Sequence, residues 1–174
     1  MGGTGKTPHI EYLIRLLSEQ YKVATLSRGY KRKTSGFLIA SEKSNLVDIG
    51  DEPKLYFTKF SQVIVSVCEN RVNGITQLIK YDKQPINAIL LDDAYQHRSI
   101  KPGLNILLTN FKKPFSKDFV FPSGNLREFR KGYKRADIIV VTKCSRNITD
   151  VEKNRLIQEI KPKQYQHIFF SYLE

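Results

Sequence analysis

The sequence predicts an α/β fold, a mostly parallel sheet with helices on both faces, and three observations lead to it. Apolar runs of strand length recur along the chain, segments of helical periodicity alternate with them, and 174 residues suit one α/β domain with a real core. From Thr7 to about Tyr21, Ile10, Leu13, Ile14 and Leu17 fall at i, i+3, i+4 and i+7, the stripe of a helix packed on one side. Pro8 sits in that helix's first turn, where its missing N–H costs nothing. Val23–Leu26 then reads as a short buried strand, followed by a basic, polar loop from Ser27 to about Gly36. Val63–Val67 and Ala88–Leu91 have the length and composition of buried strands, with helical character from Arg71 to Ile79 between them. The alternation resumes with strands at Leu104–Leu108 and Asp137–Val141, a helix from about Thr149 to Ile160, and a last strand near Ile168–Phe170. The stretch from Thr109 to Lys134, rich in Pro, Phe, Lys and Arg, reads as a functional loop region with one short helix. There is no internal repeat and no low-complexity tract.

Composition narrows the function classes. The chain is 40% hydrophobic and 26% charged, as ordinary folded proteins are, and its net charge of +12 points to an anionic partner. Cys68 and Cys144 lie far apart without metal-ligand spacing, so they read as two free thiols in a reducing compartment. No run approaches the roughly 18 apolar residues of a transmembrane helix, and no signal-peptide pattern opens the chain, so the piece itself reads as soluble and cytoplasmic.

Two motifs carry chemistry. Gly2-Gly3-Thr4-Gly5-Lys6-Thr7 supplies the GK[ST] end of a phosphate-binding loop directly before an amphipathic helix. Its glycines let successive N–H groups face a phosphate, the helix N-terminus adds its positive dipole, Lys6 bridges terminal phosphates, and Thr7 offers a hydroxyl to Mg²⁺. Such a loop normally follows a buried strand, and that strand is expected upstream of Met1. Ile89-Leu90-Leu91-Asp92-Asp93 is the complementary element, an apolar strand ending in acids that hold Mg²⁺ directly or through water. Together these make the fold P-loop NTPase-like and imply ATP and Mg²⁺. Gly50-Asp51-Glu52-Pro53 places two acids at a turn where Pro53 opens a helix. Taken locally, that is a capping turn. Ala94-Tyr95-Gln96-His97-Arg98 puts a titratable His beside the acidic pair.

GGTGKTP at Gly2–Pro8, SRGY at Ser27–Tyr30, GDEP at Gly50–Pro53, DDAYQHR at Asp92–Arg98 and PSGNLRE at Pro122–Glu128 resemble, in order and rough spacing, the signature blocks of the lipid A 4'-kinases, the tetraacyldisaccharide 4'-kinases. Five ordered blocks are far more specific than the phosphate loop alone. Ala94-Tyr95 stands where that family usually has Gly-Phe, a mild departure that preserves the turn. The resemblance implies transfer of the γ-phosphate of MgATP to the 4'-hydroxyl of an acylated glucosamine disaccharide phosphate. It implies Lys6, Asp51 and Asp93 as catalytic residues, with Asp51 activating the sugar hydroxyl. Nucleotide then lies on Gly2, Gly3, Thr4, Gly5, Lys6 and Thr7, the metal on Thr7, Asp92, Asp93 and Glu52, and substrate near Arg28, Gln96, His97 and Arg127. By the same resemblance, residues 1–174 are the nucleotide-binding domain of a longer enzyme that also has an N-terminal membrane-associating helix and a C-terminal lobe. Its place is the cytoplasmic face of the bacterial inner membrane, as a peripheral protein.

The basic runs Lys31-Arg32-Lys33 and Lys112-Lys113, with Arg127, Arg130, Lys131, Lys134 and Arg135, interleave with aromatic residues such as Phe119, Phe121 and Phe129. Solvated surface charge accounts for any single run, whereas an anionic membrane surface or a lipid phosphate accounts for charge and rings together. Two rivals differ in class. A partitioning or metallochaperone P-loop ATPase shares the GGxGKT loop but has no use for the GDEP and DDxxQHR blocks. A nucleic-acid module fits the charge but lacks any recognition-helix or zinc signature, so no nucleic-acid partner is expected.

Overall fold

The computed structural model describes residues 4–81 and 84–172. They fall into two compact units, Lys6–Ile100 and a second that joins Met1–Gly5 to Lys101–Glu174.

The first unit holds α1 (Lys6–Ser18), β1 (Val23–Ser27), β2 (Leu38–Ile39), α2 (Leu46–Ile49), α3 (Asp51–Lys59), β3 (Ile64–Val67), α4 (Arg71–Tyr81) and β4 (Ala88–Leu91). Its sheet runs β2-β3-β1-β4, with β1 parallel to both β3 and β4 and only the two-residue edge strand β2 antiparallel. Alternation along β1 sends residues to opposite faces. Val23 joins Ile14 of α1, Tyr56 of α3, Val65 and Val67 in one apolar cluster, while Ala24 and Leu26 join Cys68 and Leu78 of α4 in the other. Helices therefore cover both faces, as the strand–helix alternation requires. The first helix ends at Ser18, and Gln20 and Tyr21 close it with backbone bonds to the Leu17 carbonyl.

Arg32 departs from the reading of its run as surface charge. Its side chain is only 2% exposed, paired with Glu69 at 2.5 Å and donating to the Gly36 carbonyl at 2.6 Å, so it ties the loop after β1 together from within.

The second unit holds β5 (Ile106–Asn110), β6 (Ile138–Thr142), α5 (Asp150–Ile160) and β7 (His167–Phe170), with 3₁₀ turns at Phe115–Lys117 and Arg130–Arg135. Its three strands are parallel in the order β5-β6-β7. The strands thus divide between two sheets, and the fold remains mixed α/β with mostly parallel pairing. α5 opens with a reciprocal capping box in which Thr149 and Glu152 each satisfy the other's backbone N–H. β5 begins two residues later than its apolar run suggests: the Asn105 N–H is already taken by the Asp137 carboxylate at 2.7 Å, and Leu104 is exposed.

The loop between the two 3₁₀ turns is tightly built. The Asp118 carboxylate accepts from the N–H groups of Phe119 and Asn125, the Phe121 N–H donates to the Leu126 carbonyl, and the Leu126 N–H donates to the Phe119 carbonyl. The Arg130 guanidinium lies 4.6 Å from the centroid of the Phe119 ring while its Nε donates to the Asp118 carbonyl. This order presents Phe119, Phe121 and Phe129 to solvent at 60%, 78% and 79% exposure. Cys68 and Cys144 are buried free thiols, and among the described residues no helix is long and apolar enough to cross a membrane.

Candidate active site

The carboxyl ends of β1 and β4 lie side by side, since Leu26 pairs with Leu91 and the Asp92 N–H donates to the Leu26 carbonyl. The next residues, Ser27 and Asp92, therefore emerge as neighbours, the edge of a parallel sheet where ligands are received. Both are buried, and both keep a side-chain oxygen, Ser27 Oγ and Asp92 Oδ1, with no hydrogen-bond partner among the described residues. Buried polar atoms are rarely left so, and a pair of them at adjoining strand ends marks a place where a ligand completes the bonding.

Asp92 is 6% exposed and its second oxygen accepts from the Tyr56 hydroxyl at 3.2 Å. Burial pushes its carboxyl above the ordinary range; the Tyr56 hydrogen bond and Lys6 oppose that, while Glu52 and Asp93 add to it. Asp93 follows with a positive φ of 49°, a conformation that Asp tolerates better than most residues. It pairs with Lys6 at 3.4 Å, a contact exposed enough to contribute little stability.

The GDEP and SRGY blocks meet through their backbones. Gly50 has φ 89° and ψ 169°, and a Cβ there would stand 2.9 Å from the Tyr30 carbonyl oxygen and 3.3 Å from Gly29 Cα. Only glycine lets the turn before α3 press on the turn after β1. α3 then opens with Asp51 and Glu52 at its positive end, Asp51 exposed and Glu52 partly covered.

Of the residues expected here, the first unit gathers Lys6, Thr7, Glu52, Asp92 and Asp93, with Arg28 and His97 on the same electrostatic network through Arg71. His97 is held below its ordinary pKa, first by burial and then by Arg71 and Arg28, with Asp93 opposing. Asp51 lies at the start of α3, and Gln96 is exposed beyond β4. Gly2 and Gly3 fall outside the described residues. In the second unit, Gly5 has φ 83° and the Thr4 carbonyl accepts from Thr142 Oγ1 at 2.9 Å. Arg127 belongs to that unit too, exposed on its aromatic loop.

Two residues at the site went unread in the sequence. Arg71, 2% exposed, donates to the carbonyls of Cys68 at 2.6 Å and Asp92 at 3.2 Å, bracing the acidic strand end from β3 and α4. Tyr56, fully buried, ties α3 to Asp92. Neither has a local sequence signal, since an Arg opening a helix and a Tyr on an apolar stripe are commonplace.

Thr7, Asp92, Asp93 and Glu52 offer the hard oxygen donors that suit Mg²⁺. Among the described residues no group of three or more His, Cys, Asp or Glu could hold a metal by itself. An ion here therefore fits as one that keeps several waters and shares phosphate oxygens, which is how Mg²⁺ accompanies a nucleotide.

The profile of the LpxK family, tetraacyldisaccharide-1-P 4'-kinase, matches residues 1–170. Tetraacyldisaccharide 4'-kinase of Flavobacterium johnsoniae is 53% identical over 174 residues, covering 100% of this chain and 51% of that protein. The enzyme of the same name from Bacteroides thetaiotaomicron is 48% identical over 171 residues, covering 98% of this chain and 45% of that protein. Among solved structures, apo-form LpxK from Aquifex aeolicus in complex with ATP matches with a TM-score of 0.76 and 34% identity, over 98% of this chain and 50% of that one. The chain spans about half the length of the relatives it matches.

Proposed function

The chain belongs to the tetraacyldisaccharide 4'-kinase family, and from that premise we propose that it forms the nucleotide-binding part of an enzyme that transfers the γ-phosphate of ATP to the 4'-hydroxyl of a tetraacyldisaccharide 1-phosphate. The observation that carries the proposal is the convergence of Lys6, Thr7, Glu52 and the buried, half-satisfied Asp92 at one strand edge. Named relatives of the same family, one of them in complex with ATP, support it. The partitioning-type ATPase gains nothing from these findings.

In this reading, Lys6 and the amides of Gly2, Gly3, Thr4 and Gly5 take the nucleotide phosphates. Thr7, Asp92, Asp93 and Glu52 would hold Mg²⁺, which would neutralise charge on the transferring group. Phosphoryl transfer is chiefly positioning and charge stabilisation. Lys6 leaves Asp93 for the phosphates, and Asp51, exposed at the start of α3, orients the acceptor hydroxyl and takes its proton. Arg28, Gln96 and neutral His97 are the residues of the first unit that would serve the substrate phosphate, and Arg127, exposed on the aromatic loop of the second unit, is the cation that unit would offer to a phosphate. The net charge of +12 and the exposed Phe119, Phe121 and Phe129 beside Arg127, Arg130 and Lys131 suit an anionic membrane surface, so the working place is the inner face of a bacterial membrane.

The test uses the longer protein that contains this chain, labelled ATP and tetraacyldisaccharide 1-phosphate. A labelled bisphosphate lipid is expected, absent with Lys6→Ala. Asp51→Ala should keep ATP binding while turnover falls by roughly two to four orders of magnitude. ATP turnover driven by a protein partner, with no labelled lipid, would overturn the assignment.

A further inference from the structure

We infer that the Tyr56 hydroxyl is a positioning group for the nucleotide-bound metal, acting through Asp92. Its phenol donates to Asp92 Oδ2 at 3.2 Å. A phenol has one proton to give and lone pairs to receive, and an ionised carboxylate can only accept. The arrangement that satisfies both groups is therefore one in which Tyr56 donates to Asp92. The carboxylate then keeps its remaining lone pairs for a cation. Asp92 Oδ1, buried without a partner among the described residues, is the oxygen this bond leaves over.

Tyr56 cannot wander from that duty. It is fully buried in one apolar cluster with Ile14 of α1, Ile49 and Val65, and burial together with the neighbouring Asp92 raises its pKa far above the physiological range, so the donor proton stays in place. It also shares a face of α3 with Glu52, four residues earlier, whose charge reaches both Tyr56 and Asp92. One helix face thus bears on the metal side, while the helix's first residue, Asp51, is the proposed acceptor-side base. The inference rests on the nucleotide-site reading of Thr7 and Asp92. The test separates the two.

ATP binding to this chain is measured by calorimetry in Mg²⁺ and in EDTA, for wild type and Tyr56→Phe, with melting temperatures for each. The expected result is a folded variant whose affinity in EDTA lies within about twofold of wild type, while its gain on adding Mg²⁺ falls by roughly tenfold, the worth of one hydrogen bond to a charged group. Site-specific 3-fluorotyrosine at position 56, which keeps ring and hydroxyl, should retain the gain. An undiminished gain in Tyr56→Phe, or its loss with fluorotyrosine, overturns the inference. So does an equal loss in EDTA and in Mg²⁺, which marks a packing role alone. If wild type shows no Mg²⁺-assisted ATP binding, the nucleotide-site reading itself falls, and the inference with it.

Discussion

Gly50→Ala isolates the contact between the GDEP and SRGY turns. The native φ of 89° and ψ of 169° lie in a region that only glycine occupies readily, where a side chain costs the upper part of roughly 1–3 kcal/mol. The added Cβ would also stand 2.9 Å from the Tyr30 carbonyl oxygen, a backbone atom with no rotamer to escape through. Forced displacement of that kind adds about 1–2 kcal/mol. The sum is about 3–5 kcal/mol. Gly36→Ala is the matched control: φ is 76°, yet nothing lies within 4 Å of its Cβ position, so it carries the conformational cost alone, about 1–2 kcal/mol. In a chain of this size 1 kcal/mol moves the melting point by about 2–4 °C. Calorimetry should therefore place Gly50→Ala roughly 5–10 °C below Gly36→Ala. Equal melting points would refute the backbone contact as the reason for glycine at position 50.

Arg71→Met keeps volume but removes the bonds to the Cys68 and Asp92 carbonyls, so the melting point should fall by about 3–10 °C, net of the relieved burial of charge. The same variant removes a cation that depresses His97, whose titration followed by NMR should move upward; an unmoved midpoint would separate His97 from Arg71. Asp92→Asn should stabilise the nucleotide-free chain at neutral pH while abolishing Mg²⁺-assisted binding. Because the Asp92 pKa is raised by folding, its contribution is fully present below the unfolded value of about 4 and is lost as pH rises through the folded value. The melting-point gap between Asp92→Asn and wild type should accordingly widen from pH 4 to pH 7, and a pH-independent gap would contradict the sign of the shift. Phe121→Ser with Phe129→Ser should weaken co-sedimentation of the chain with phosphatidylglycerol vesicles at constant charge. Undiminished binding would leave electrostatics as the whole of the membrane attraction.

The sheet strands β1, β3, β4 and β6 were legible because each is an apolar run bounded by polar residues, and the acids that end β4 because they follow such a run directly. β2 escaped notice because two residues make no periodic signal, and its pairing with β3 comes from the far side of the loop pinned by Arg32. β5 was misjudged at its end because Thr109, a polar residue, is buried inside the strand and donates no apolar signal to the run. Arg32 is indistinguishable from its exposed neighbour Lys31 until Glu69, 37 residues on, is brought beside it. The same holds at the site, where Tyr56 meets Asp92 across 36 residues and Arg71 meets it across 21. What sequence conveys is the chemistry of short strings; the groups that brace that chemistry come from long-range packing.

ATP binding to this chain with and without Lys6→Ala tests the central claim most directly. Loss of the side chain proposed to reach the terminal phosphates should weaken affinity by about 10- to 150-fold, with the melting point nearly unchanged because its pairing with Asp93 contributes little. Equal affinity in the two proteins would contradict a phosphate-binding loop at the start of α1 and, with it, the assignment of this chain to nucleotide binding.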